Sequence, residues 1–536
     1  MSEAAPAHVV MLVANDVATD TRVKKEALAL AQSGLRVTVV GCGSMDRSQD
    51  SWMGPVEIVR VPVEFVIQED EAAREVGRPI RRPLHDGGAL ARIQARERDV
   101  RGRSGLALQR REGGLLGRLR FKAGVGERQV ERQVLRGGRF AVRVEGGLAR
   151  RVERRVVARR AARLEKDAAG KRRVRWRAEH PVVLDYEVAF GPVIDALKPD
   201  VLHAHDMHVI GIAAHASARA RAAGRHLPWV YDAHEYVPGL SQYGGRTARV
   251  VDGWADLEND FIRDASRVIT VSPAIADALQ EKYGLASHPA VVLNIPTDDL
   301  PGREPVRTLR EVCRLGPDVP LLTYVGGMTR ARGVHTAIEA MALLPEAHLG
   351  LVCVPHNDTW YVRQLRAQAA SAGLSGRVHF VNPVGPSQVV DYLSGVDVAL
   401  IPALSYPSHE MSLPNKLFEY LHAGIPIVST DLDSIQTFLR ENGVGLTHPA
   451  EDPPALAAAV RAVLADHEAY VAAASNPALL ARYSWTGQAH ELRVVYDELL
   501  GTHLAGAEPG RATDATGATD ATDEVLDLTE TERPTT

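Results

Sequence analysis

The chain has 536 residues, 45% of them hydrophobic, which is material for two or more globular domains with a core in each. Its formal charge of −4 hides an asymmetry, because residues 71–180 hold 32 Lys+Arg against 13 Asp+Glu and the remainder therefore carries −23. Three distant cysteines, Cys42, Cys313 and Cys353, lack metal-ligand or redox spacing, and no run approaches the ~20 apolar residues of a membrane span, which argues against a disulfide scaffold or a spanning protein.

The opening MSEAAPAHVVMLVAND has no charged region before its apolar residues, so a cytoplasmic enzyme is expected. His8 to Ala14 reads as a strand, Asn15 onward as a loop, Thr21 to Ser33 as a helix stopped by Gly34, and Leu35 to Val40 as the next strand. Strand, helix, strand at this spacing predicts a βαβ unit in a parallel sheet. The pattern resumes at Val201 to His203, then an Ala-rich helix around Gly211 to Ala222, and strands at Pro228 to Tyr231 and Val268 to Val271.

The Arg-rich segment, about 68–180, interrupts this domain. Leu148, Val152, Val156 and Leu164 recur near helical spacing with arginines on the other faces, the pattern of a basic amphipathic helix. Such a segment suits an anionic membrane surface, a lipid-linked acceptor or an anionic polymer, and its plain alternative is a solvated insertion. Without interleaved aromatics or a recognition module, nucleic acid is not the expected partner.

After a strand at Val291 to Leu293, PTDDLPGREP reads as a linker. A second alternating region follows, with strands at Leu321 to Val325, Leu349 to Val354, Val378 to Val381, Val396 to Ile401 and Ile425 to Ser429. Two doubly wound α/β domains in tandem are expected, 1–300 and 301–484, then a helix at 485–501 and an acidic, disordered tail at 502–536.

Two segments carry the chemistry. In LLTYVGGMTRARGVHTAIEA a strand runs into Gly326 and Gly327, with Arg330 and Arg332 just before a helix near Val334. Guanidinium groups at a helix start suit a diphosphate, because Arg is permanently charged and bidentate toward phosphate oxygens. In MSLPNKLFEYLHAGIPIV, Pro414 is the expected first helical residue, so the N–H groups of Asn415, Lys416 and Leu417 would face an anion. Glu419 then lies further in, placed for a ribose.

These two stretches, with the N-terminal NDVATDTRVKKEA, resemble retaining glycosyltransferases of family 4, which have the GT-B fold. The resemblance implies two Rossmann-like domains facing a cleft, a nucleotide-sugar donor (commonly a UDP-sugar) on the second domain, and no metal or other cofactor. It implies ribose binding by Glu419 and a grip on the diphosphate by Arg332. Two positions depart from the family pattern. Met411 stands where the other glutamate of the Glu-x7-Glu motif belongs, next to Glu410, and Gly327 stands at a basic position that Arg330 and Lys416 would have to replace.

On the first domain, VLHAHDMHV supplies His203, His205, Asp206 and His208, and YDAHEY supplies Asp232, His234 and Glu235. These are metal-ligand types at strand ends, but no metal spacing recurs. The resemblance places a histidine before the sugar; His234 fits best and His205 second, as an orienting group. In the loop before the first helix, Asp16, Asp20 and Arg22 are acceptor-side candidates, together with His205, against a reading in which Asp20 caps the helix and Arg22, Lys24 and Lys25 are solvated. The expected activity is sugar transfer to a glycan or lipid-linked hydroxyl, in the cytoplasm or at the inner face of the membrane. The alternatives are a sugar-nucleotide epimerase of the same fold and an inactive scaffold.

Overall fold

The computed structural model describes residues 6–18, 20–43, 49–69, 176–242, 246–297 and 305–501. Most of the Arg-rich segment, the linker at 298–304 and the tail at 502–536 lie outside these, and with them the expected amphipathic helix and disordered tail.

Two separate sheets carry the fold. The first has the order β3-β4-β2-β1-β5-β6-β7-β8, from β1 (His8–Leu12), β2 (Arg36–Gly43), β3 (Gln49–Met53), β4 (Val56–Pro62), β5 (Val201–His205), β6 (Trp229–Ala233), β7 (Arg267–Thr270) and β8 (Ala290–Val291). Every pairing is parallel except β3 with β4. The second has the order β11-β10-β9-β12-β13-β14, all parallel, from β9 (Leu321–Gly327), β10 (His348–Val354), β11 (Val378–Val381), β12 (Val398–Ile401), β13 (Ile427–Thr430) and β14 (Gly445–His448). In β1, β5 and β6 every residue is buried, as expected of strands covered by helices on both faces.

In each sheet the connections reverse direction once, between β1 and β5 and between β9 and β12. Open α/β sheets bind ligands outside the carboxyl ends of the strands at such switch points. The Gly326–Gly327 turn closes β9, and the histidines and acids noted above close β5 and β6.

The expected strands occur with shifted ends, and the β3–β4 hairpin and β14 add edge strands that the apolar runs do not announce. The strand expected at Val291 to Leu293 is only Ala290–Val291, a short edge. Pro414 is not helical: its ψ of 150° is extended, it caps the helix, and the helix is Asn415–His422.

The last helix, Trp485–Leu500, leaves the second domain and packs on the first. Trp485, Leu492, Val495 and Tyr496 join Val9, Met11, Val37 and Val39 in one core cluster. Lys25, on the Thr21–Gln32 helix, bridges both crossings between the domains. Its Nζ donates to Asn294 Oδ1 at 2.7 Å and to the Ile295 carbonyl, and it sits 4.7 Å over the Trp485 ring. Beside them the Leu293 N–H donates to Gln488 Oε1 at 2.7 Å. A further contact joins the domains across the cleft: Ser272 Oγ donates to the Met411 carbonyl at 2.5 Å. Gly239 lies against Pro407 and Ser408 so closely that a Cβ on it would be 2.8 Å from Pro407 Cβ and from the Ser408 nitrogen.

Candidate active site

On the second domain the site begins with backbone. Gly326 has φ of +133° and Gly333 has φ of +66°, values that favour glycine, and a Cβ on Gly333 would be 1.6 Å from the Pro402 carbonyl oxygen. The turn that carries Arg332 is thereby held against the end of β12. Arg330–Arg332 forms one 3-10 turn before the Val334–Ala340 helix.

Lys416, on the Asn415–His422 helix, returns over the same turn. Its Nζ sits 3.7 Å over the Tyr324 ring and within 3.0 Å of where a Gly326 Cβ would be. Burial pulls its pKa well below the ordinary lysine range, the nearby Arg332 guanidinium adds to this, and Glu419 opposes it. Neither Arg332 nor Lys416 has an ion pair or side-chain hydrogen bond among the described residues. Two half-buried basic groups thus face the same spot, neither of them held in an ion pair among the described residues.

The end of the Asn415–His422 helix adds less than the sequence suggests. The Leu417 N–H is taken by the Pro414 carbonyl at 2.9 Å, because a capping Pro414 closes the first turn on itself. Among the described residues, the N–H groups of Asn415 and Lys416 are the ones left open. Glu419 is half-buried; burial raises its pKa, and Lys416 and Lys25 oppose that. Arg330 does not join this group. Its exposed guanidinium stands 3.4 Å from Glu451, on the solvent side of the turn.

The two departures from the motif have structural accounts. Glu410 accepts from the Asp433 N–H at 3.0 Å and from Ser405 Oγ at 2.5 Å, so it caps the Asp433–Asn442 helix. Met411 packs partly against the first domain's core. Gly327 is exposed, with open space where a side chain would start.

On the first domain, most of the polar cluster is interior. Arg22 is 2% exposed and binds Asp232 in a fork, Nε to Oδ2 at 2.7 Å and Nη2 to Oδ1 at 2.8 Å, while pairing with Glu26 at 3.0 Å and donating to the Val292 carbonyl at 2.8 Å. His205 is fully buried, stacked on His203 at 4.1 Å, with Nδ1 3.1 Å from Asp232 Oδ2. Arg22 and His205 are therefore not acceptor-side groups. The first turn of the helix points Arg22 into the sheet, and residues 203 and 205 share one covered face. Lys25 is buried as well, not solvated.

Asp20 serves as the helix N-cap, accepting from the Val23 N–H at 3.2 Å and from Asn15 Nδ2 at 2.8 Å. Asp16 accepts from the Ala18 N–H at 3.0 Å, a turn within the loop.

Glu26, His203, His205 and Asp232 each offer a donor atom within 4.8 Å of the others, spacing that a cation could bridge. The cation among them is the Arg22 guanidinium, which already holds both acids. His234 differs from its neighbours. Its side chain is 22% exposed, and Nε2 stands 3.2 Å from Asp232 Oδ2. Its neighbour Glu235 lies near enough to Arg332 of the second domain to feel that charge, so this loop faces the cleft. Tyr324 under Lys416, and buried His409, which feels both Arg332 and Lys416, are site residues that no motif announces.

Comparison with known proteins places these features in context. Residues 319–466 match the family model described as "Glycosyl transferases group 1", and residues 137–298 match that of "Glycosyltransferase Family 4". A glycogen synthase from Mycobacterium tuberculosis is 28% identical over 311 residues, 56% of this chain and 69% of that one. Among solved structures, sucrose-phosphate synthase from Thermosynechococcus elongatus has a TM-score of 0.59 at 15% identity, covering 92% of this chain and 99% of that one. Anabaena HepE in complex with UDP-glucose has a TM-score of 0.51 at 14% identity, covering 92% and 100%.

Proposed function

We infer that this chain, a glycosyltransferase of the GT-B fold, transfers a sugar from a nucleotide-sugar donor to a hydroxyl acceptor with retention of anomeric configuration. The observation that carries the donor assignment is the pair Arg332 and Lys416. Two adjacent basic groups, neither held in an ion pair among the described residues, at an open helix start, fit a diphosphate. Glu419 lies about 6 Å further along the helix axis and accepts hydrogen bonds from a ribose. The UDP-glucose bound by HepE, a protein of the same fold, supports a UDP-sugar as donor.

In this reading the acceptor hydroxyl attacks from the face that the nucleoside diphosphate leaves, and the leaving phosphate oxygen takes its proton. Arg332, Lys416 and the helix start stabilise the charge that grows on that oxygen, and no metal is invoked. The contact of Gly239 with Pro407 and Ser408 brings His234 toward the donor and limits water. The acceptor is a glycan or lipid-linked hydroxyl. No helix among the described residues is long and apolar enough to cross a membrane. We extend the proposal to a cytoplasmic enzyme that meets an anionic membrane through the net positive charge of residues 71–180.

The test is release of nucleoside diphosphate from individual nucleotide sugars offered with mixed lipid and sugar acceptors. Release is expected from one donor, and Arg332→Ala should lower kcat/KM by about a hundredfold. Silence with every donor supports a scaffold, and conversion of the donor without acceptor supports an epimerase. In liposome flotation, binding to anionic vesicles should be lost when 71–175 is deleted; equal flotation of both proteins removes the membrane proposal.

A further inference from the structure

The buried cluster behind β5 and β6 ends in His234, the member of it that is partly exposed. Asp232 is its hub. Oδ2 faces Arg22 Nε at 2.7 Å, His205 Nδ1 at 3.1 Å and His234 Nε2 at 3.2 Å, and Oδ1 accepts from Arg22 Nη2 at 2.8 Å. The forked guanidinium leaves this carboxylate no rotational freedom. His234 Nδ1, by contrast, has no hydrogen-bond partner among the described residues, and the side chain that carries it is 22% exposed.

We propose that Asp232 is a positioning residue, which fixes the His234 ring through Nε2 and so aims Nδ1 into the cleft at an oxygen of the sugar or the acceptor. A ring bonded to a carboxylate through Nε2–H has Nδ1 as an acceptor when neutral and as a donor when cationic. The charge state therefore decides whether His234 is a base or an electrostatic partner for an oxygen of the sugar or the acceptor.

The groups around the ring favour the cation. Burial opposes it, but Asp232 and then Asp206 outweigh burial and Arg22, pushing His234 up to about 9. Glu235 and Glu26 also act on it, with His208 on the opposing side. His203 and His205 are held neutral chiefly by burial, and so add no competing charge. This deepens the proposed transfer reaction and rests on it only for the identity of the oxygen that Nδ1 meets.

The experiment is a histidine NMR titration of the whole chain labelled at ring Cε1, with His234 assigned by His234→Gln. In the unaltered protein His234 should titrate about two units above the ordinary 6.5. In Asp232→Asn, which keeps the shape and an acceptor for Arg22, the midpoint should fall by two units or more. A midpoint at or below 6.5 in the unaltered protein overturns the proposal even if Asp232→Asn does not fold, and so does an unmoved midpoint in a folded Asp232→Asn. Neither result depends on which donor or acceptor is used, so either can fail while the transferase reading stands.

Discussion

At the residue scale the least comfortable group is Lys416, an amine whose charged form is disfavoured first by burial and then by the neighbouring Arg332. A bound diphosphate would replace that repulsion with attraction and return the lysine to its charged form. Proton uptake therefore accompanies binding wherever the free protein has Lys416 neutral, and affinity for UDP falls as pH rises through that window. Calorimetry in two buffers of different ionisation enthalpy should show this uptake with UDP, and Lys416→Met should abolish it. Glu419→Gln should weaken UDP about tenfold, the loss of one charge-assisted hydrogen bond, and should move the proton-uptake window to lower pH, because Glu419 supports the charged form of Lys416.

The same scale shows what the sequence could and could not say. Arg332, Lys416 and Glu419 stand in short segments whose glycines and helix start give their direction away. Arg22 does not. Within DTRVKKEA it resembles a solvated basic turn, and its partner Asp232 is 210 positions away, so nothing local marks it as interior. His203 and His205 were readable as sharing a face, two apart on one strand, but which face was covered depended on the last helix, whose Tyr496 OH lies 2.9 Å from His203 Nδ1.

At the scale of elements, the parallel strands were legible because most of them begin as short apolar runs, a mark of burial on both faces, with the polar residues of β5 and β6 gathered toward their carboxyl ends. The β3–β4 hairpin and β14 sit at edges and carry mixed residues, so their pattern is diluted. The turn between β9 and the Val334–Ala340 helix has the strictest geometry in the candidate site. Gly333→Ala would place a methyl carbon against the Pro402 carbonyl in a left-handed backbone, and should cost at least about 3 kcal/mol. In differential scanning calorimetry the second domain should then melt roughly 6 to 10 °C lower.

At the scale of the whole molecule, Gly239 sets how closely the domains approach. Gly239→Val would meet Pro407 and Ser408, and Tyr236 on its own side, at 2.8 Å. The domains should separate, raising the radius of gyration in solution scattering and lowering turnover, while UDP binding to the second domain persists.

The return of the Trp485–Leu500 helix to the first sheet also sets an order of events at the ribosome. β1 to β8 emerge first, but the face bearing Val9, Met11 and Val37 stays without that helix until the entire second domain has been made. The first domain begun is thus completed last. A nascent chain stalled before Trp485 would leave uncovered the surface of the Thr21–Gln32 helix and of β8 on which the last helix packs, the kind of apolar surface that chaperones bind and that aggregates when they are scarce.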